Sequence, residues 1–290
     1  VYDPEALDFR DREGRPLDLT RSFSMAGGEA EADTLADLRH FIHQTGFAHV
    51  RGVVGAEDLE QLLAEVDRLQ ALARPGDDRS WWARRADGTE VVCRLTYVNE
   101  RSGLLARAHE LTPLQELVDA VTPEGAELAV FSDRNDGHSV VIKNHDVVDG
   151  LSDLPWHIDC GLGGHPVLCP TVLVGVQLTS ASSTAGQLQF LAGSWRTSCH
   201  QLTADELTSG RYPVVAVDAE PGDITMHFGH GMHVAPPPTS ADSCRRTLYL
   251  GWNNVACGDV VPAGSGYNDV VLHSGEDNRV LSVPEQLARG

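Results

Sequence analysis

Along the first part of the chain the apolar positions recur with a helical period. Leu35, Leu38, Phe41 and Ile42 fall on one face of residues 33–45, Asp33 or Thr34 can cap the start, and Gly46 can end it. Residues 56–74 carry the clearest stripe, formed by Leu59, Leu62, Leu63, Val66, Leu69 and Leu72 and stopped by Pro75-Gly76. Between them Phe47–Val54 alternates as a strand does. The charged, glycine-containing stretch 75–88 predicts a loop, Glu90–Val98 a strand, and 104–121 a further amphipathic helix.

From about residue 126 the period changes. Short apolar runs at 126–131, 138–145, 170–179, 187–192, 213–218, 223–228 and 245–253 are separated by clusters of Gly, Pro, Asp and Ser. That spacing predicts an antiparallel barrel or sandwich. Residues 1–30 read as a polar arm, 31–125 as a supporting region of helices and strands, 126–255 as the β core, and 256–290 as an extension over it. The early strands have no evident partner except that core, so one domain spanning 1–290 is expected.

Composition narrows the function classes. A chain of 290 residues, 41% apolar, can bury a substantial core. It has no apolar run of the length that spans a membrane, and residues 1–30 lack a signal pattern. The net charge of −20 argues against a nucleic-acid partner, which calls for neutralising Lys and Arg. The six cysteines form no C-x-x-C pair. Free thiols and a cytoplasmic location are the expectation.

The candidate chemistry lies in the β core. In LPWHIDCGLGGH (154–165), alternation puts His157 and Asp159 on one face of a strand, and an imidazole with a carboxylate suits a divalent metal. A single H-x-D is more often two surface residues, so a third ligand is needed from elsewhere. PGDITMHFGHGMHVAPPP (221–238) offers His227, His230 and His233. Two histidines and one carboxylate leave three coordination positions open, as in non-haem Fe(II) oxygenases. Downstream, CRRTLYLGWN (244–253) alternates Arg245 and Thr247 onto one face and Arg246 onto the other. A guanidinium and a hydroxyl so placed could share one carboxylate.

Together these segments resemble the phytanoyl-CoA dioxygenase-like branch of the Fe(II)/2-oxoglutarate-dependent oxygenases, over roughly residues 45–255. Thr45–Leu69 is similar to the family's opening strand and helix, and PWHIDC (155–160) to its H-x-D segment. AGQLQFLAGSW (185–195) resembles its N-G-x-L-x-x-x-P-G-S-H turn, with Ala192 and Trp195 in place of the proline and the final histidine. The last two family segments are matched by PGDITMHFGHGMH and RRTLYLGWN.

The resemblance implies a mainly β fold with flanking helices and a double-stranded β-helix (jelly-roll, cupin-like) core. It selects His157, Asp159 and His233 as metal ligands, because the family's distal ligand stands eleven residues after the turn glycine, here Gly222. It implies Fe(II), 2-oxoglutarate and O2, with Arg245, Arg246 as the alternative, anchoring the oxo-acid. Thr247 would add contacts to it, as would Asn144 of VVIKNHD (140–146), thirteen residues before His157, with Lys143 as the alternative. His227 is expected on the outward face or behind the ligands.

Release of succinate and CO2, and oxidation of a small-molecule substrate, would follow. The carboxylate at Asp159, where related halogenases have a small residue, favours hydroxylation. Arg94, Tyr97 and His230 are candidate substrate contacts, with Trp81 and Trp82 near the pocket mouth. A cupin-like binding protein without turnover, or a zinc hydrolase or isomerase on the same barrel, are the alternatives. The joint presence of three ligands and an anchoring arginine speaks against them.

Overall fold

The computed structural model describes residues 7–25, 32–111, 113–134, 136–150, 152–153, 156–159, 171–196, 204–260 and 262–264. The strands, in chain order, are β1 (Phe23–Ser24), β2 (Phe47–Arg51), β3 (Ser80–Arg85), β4 (Glu90–Leu95), β5 (Leu128–Val130), β6 (Ser139–Ile142), β7 (Val147–Asp149), β8 (Thr171–Gln177), β9 (Gln189–Leu191), β10 (Val214–Ala216), β11 (Ile224–Phe228), β12 (His233–Val234) and β13 (Arg246–Asn254). The two long helices are α1 (Ala32–Thr45) and α2 (Ala56–Leu72).

Most strands join one large sheet in the order β1-β2-β11-β8-β13-β6-β4-β3-β7, with β5 also on β13. A smaller sheet runs β10-β9-β12 and is extended by an antiparallel bridge between His157 and His233. These two facing sheets with helical cover are the expected jelly-roll core.

The alternation in the sequence gives the large sheet two unlike faces. Ile224, Val176 and Leu248 lie side by side across β11, β8 and β13, as do Met226, Val174 and Leu250. All six are fully buried in the same apolar cluster as Leu38 of α1, Leu62, Val66 and Leu69 of α2, and Leu117. The intervening positions present Thr225, Gly175 and Tyr249 in one row and Gln177 and Thr247 in the next. This face is turned toward the small sheet. Phe190 of β9 stacks on Phe47 of β2 at 4.6 Å between ring centroids and closes one side of the interior.

Several expectations shift. The predicted loop at 75–88 contains β3, which pairs with β4 in a hairpin and buries Trp81. Its arginines, Arg84 and Arg85, lie next to the turn of that hairpin and give the stretch its loop-like composition. The predicted helix 104–121 is broken into Gly103–Ala106, a short 3-10 turn at Ala108–Glu110 and Leu114–Val121. Pro113, which has no N–H to donate, stands at the start of the last piece. Within the predicted arm, Phe23 and Met25 are buried, and β1 pairs in parallel with β2. Residues 160–170, including the glycines after Cys160, and residues 265–290 lie outside the described residues. None of the described helices is long and apolar enough to cross a membrane.

Candidate metal centre

His157 and His233 are fixed by the backbone before any metal is considered. Each N–H donates to the other's carbonyl, at 3.0 and 2.9 Å, so the two imidazoles stand side by side with centroids 4.2 Å apart. Asp159 follows two residues on, its N–H donating to the carbonyl of Gly229 at 3.0 Å. One ligand atom from each of His157, Asp159 and His233 falls within 4.8 Å of the others. Oδ1 of Asp159 lies 3.8 Å from Nε2 of His157 and 3.8 Å from Nε2 of His233.

The protonation states suit a metal. Nδ1 of His233 lies 2.9 Å from the carbonyl of Gly231, which can only accept, so Nδ1 carries the proton and Nε2 faces the site with its lone pair. Burial, with His157 adding to it, pushes the His233 imidazolium down to about 3. Burial alone would raise the pKa of Asp159, but His233, the hydrogen bond to His227, and His157 outweigh it and hold the carboxylate well below its usual range. A carboxylate with two imidazoles is the donor set of a first-row divalent cation.

The other two histidines of the segment go elsewhere. His227 is buried on β11, and its Nε2 reaches Oδ2 of Asp159 at 2.9 Å, the oxygen the converging imidazoles leave aside. His230 sits half-buried in the turn between Gly229 and Gly231 and is not among the converging ligand atoms.

Across the interior, Arg245 is 1% exposed. Burial lowers its pKa, and Tyr249 lies within electrostatic reach of it. Its Nε and Nη1 have no hydrogen-bond partner among the described residues. Arg246 points to the opposite face and forms an ion pair with Asp67. Thr247, fully buried on Arg245's face, donates its hydroxyl to Oε1 of Gln177 at 3.0 Å.

Lys143 and Asn144 separate by the same alternation. The Lys143 N–H donates to the carbonyl of Arg245, so Lys143 shares that residue's face. Its ammonium donates to the carbonyls of Ser152 (2.9 Å) and Ala235 (2.7 Å) and pairs with Asp153. Burial pushes it down to about 8. The expectation for Asn144 is corrected: it faces the other way, its amide donating to the carbonyls of Val92 (2.8 Å) and Ile142 (3.2 Å). Its spacing from His157 located the strand but not the face.

Arg94 pairs in register with Val141 and so lies on the interior face. Its guanidinium stacks over Trp81 at 4.9 Å, lies 2.9 Å from Oδ2 of Asp136 and donates to Ser139 at 3.1 Å. Tyr97 is a second correction. It is buried in a left-handed conformation at φ 47° with Arg79 stacked on its ring, and offers little surface to a substrate. Trp195, the departure from the family turn, packs against Phe228 at 4.8 Å and over Gly46, whose φ is +90°.

Two residues were not singled out from sequence. Burial raises the pKa of the Tyr249 phenol, which lies within electrostatic reach of Arg245, Asp159 and Arg94 together. Gln177 holds the Thr247 hydroxyl. The i, i+2, i+4 alternation of Arg245, Thr247 and Tyr249 was the available signal.

Comparison with known proteins places the fold and the family. Solved structures share the fold at low identity. SnoN, an α-ketoglutarate-dependent epimerase from nogalamycin biosynthesis, is 19% identical with a TM-score of 0.65, covering 87% of this chain and 95% of its own. EctD from S. alaskensis, crystallised with 2-oxoglutarate and 5-hydroxyectoine, is 19% identical with a TM-score of 0.62, covering 85% and 83%. EvdMO1 is 20% identical with a TM-score of 0.61 over 77% of this chain, which spans half of EvdMO1's length. No match was found among curated protein sequences. Residues 42–247 match the phytanoyl-CoA dioxygenase (PhyH) family. The chain therefore belongs to the phytanoyl-CoA dioxygenase family of 2-oxoglutarate-dependent non-haem iron enzymes.

Proposed function

We propose that the chain binds Fe(II) through His157, Asp159 and His233, binds 2-oxoglutarate through Arg245, and oxidises a small-molecule substrate, most simply by hydroxylation. The observation that carries this reading is Arg245: a wholly buried guanidinium whose Nε and Nη1 have no partner among the described residues, inside the same barrel as the converging N, N and O donors. A buried cation without an anion is costly, and a carboxylate accepting from the planar fork removes that cost. A dicarboxylic oxo-acid has one end for the metal and one for the arginine.

The residues present fit both groups. His157 and His233 offer imidazole nitrogen, that of His233 held neutral, Asp159 offers Oδ1, and three positions remain for other ligands. Fe(II), 2-oxoglutarate and O2 together supply the oxidising chemistry, with succinate and CO2 as co-products. Arg245 orients the cosubstrate. Tyr249 and Thr247, on the same strand face, border the guanidinium and limit where the carboxylate can sit. Asp159 occupies the position that a halide would need, which favours hydroxylation. SnoN is an epimerase on the same fold, so the reaction outcome is the finer part of the proposal. EctD, crystallised with 5-hydroxyectoine, and the strongly acidic charge of this chain both support a small molecule over a nucleic acid.

The test is an anaerobic titration of the full chain with Fe(II) and 2-oxoglutarate. A weak visible charge-transfer band is expected, followed by succinate when air and a panel of small metabolites are added. No band would overturn the proposal. A band without succinate under any condition would point to a binding protein.

A further inference from the structure

The two oxygens of Asp159 are not equivalent. Oδ1 stands 3.8 Å from Nε2 of both His157 and His233, on the side where the ligand atoms converge. Oδ2 stands 2.9 Å from Nε2 of His227. A carboxylate only accepts, so Nε2 of His227 carries the proton and donates it.

His227 is an unusual occupant of its place. It is 1% exposed on the interior face of β11, with the Phe190 ring at 5.5 Å and the His233 ring at 4.5 Å. Its Nδ1 is buried with no partner among the described residues. An apolar side chain would fill the position without leaving a buried lone pair unmatched. What the imidazole adds is one N–H aimed at Oδ2.

From this geometry we infer that His227 is a positioning residue, which holds Asp159 as a one-oxygen ligand and keeps its second oxygen off the metal. The inference rests on the metal site proposed above and adds to it. A carboxylate free to rotate could bind through both oxygens and fill a position that the oxo-acid needs. The hydrogen bond to Oδ2 removes that option and fixes the direction of Oδ1. His227 thereby acts on the metal through Asp159.

The experiment compares the metal-free full-length wild type with His227→Gln, His227→Phe and Asp159→Ala. Each is titrated anaerobically with Co(II), following its visible absorption, and then with Fe(II) plus 2-oxoglutarate. Circular dichroism checks that each variant is folded. The Gln amide N–H can replace the Nε2–H donor, whereas Phe keeps the ring volume and removes the donor. Expected results are roughly 10- to 100-fold weaker metal binding for His227→Phe, in line with loss of an outer hydrogen bond to a ligand, and near wild-type binding for His227→Gln. The 2-oxoglutarate requirement should rise in the Phe variant as well. Equal binding by Phe and wild type would overturn the inference, and so would a Gln variant no better than Phe. If the wild type takes up no metal, or Asp159→Ala binds as well as wild type, the metal site itself falls and the inference with it.

Discussion

Gly175 and Tyr249 face each other across the β8–β13 ladder, and the missing side chain on β8 gives the phenol its room. A Cβ at position 175 would come within 2.9 Å of Cε1 of Tyr249, 2.9 Å of Oγ1 of Thr225 and 3.0 Å of Cγ2 of Thr247. All three neighbours belong to the interior face, and Tyr249 lies within electrostatic reach of Arg245. Gly175→Ala therefore overpacks the face and displaces the phenol. The expected cost is about 1–3 kcal/mol. Thermal unfolding with and without 2-oxoglutarate should show a lower midpoint and a smaller cosubstrate-induced rise than in wild type.

Arg245 and Arg246 make a paired prediction, because neighbours on a strand face opposite ways. Arg245→Gln removes the buried fork and should weaken 2-oxoglutarate binding by about 2–5 kcal/mol, the usual cost of truncating one partner of a buried charge pair. Arg246→Gln loses only its ion pair with Asp67, whose side chain is 60% exposed, and should leave cosubstrate affinity within about twofold. Titrating the charge-transfer band in each variant separates them. Equal losses would mean that the anchor lies elsewhere.

What the sequence made legible follows from its periods. In ITMHF, TVLVGVQ and RTLYLGWNN, alternate residues separate an apolar face from a polar one, so the sheet and the opposition of Arg245 to Arg246 could be read directly. His157 and Asp159 were legible for the same reason. Asn144 was not, because its spacing from His157 said nothing about which way the side chain turns; the register with Arg245 puts Lys143 on that face instead, with its ammonium held by Ser152, Asp153 and Ala235. β3 was hidden because its arginines pair with neighbouring strands and exposed acids, as Arg84 does with Asp149, and so mimic a loop in composition. The contact of His227 with Asp159 joins residues 68 positions apart and has no local signature.

Lys143 ties the segment before His157 to the segment after His233, through Ser152 and Asp153 on one side and Ala235 on the other. Its pKa falls from 10.5 to about 8 on folding, so between those values the unfolded chain holds more protons than the folded one. Stability from this group should rise with pH across that window and be lowest below about 8, where the buried ammonium is fully charged. In Lys143→Met that rise should disappear. Denaturant unfolding of both proteins from pH 7 to 10.5 checks the sign, and a wild-type curve that falls across the window relative to Lys143→Met would contradict it.

Metal removal gives the last prediction. His157 and His233 are joined by only two backbone hydrogen bonds at the end of the small sheet, and Asp159 by one more to Gly229. An ion bound to all three side chains links these segments and favours the folded state over the unfolded one. At a metal concentration a hundredfold above its dissociation constant the gain is about 2.7 kcal/mol, which for a chain of this size corresponds to roughly 5–10 °C in the unfolding midpoint. Chelation of the wild type should remove this increment, and excess Mn(II) or Co(II) should restore it. In Asp159→Ala, which loses both the Oδ1 ligand and the acceptor for His227, the midpoint should be nearly the same with metal and with chelator. A full metal-dependent rise in that variant would place the ion outside the triad.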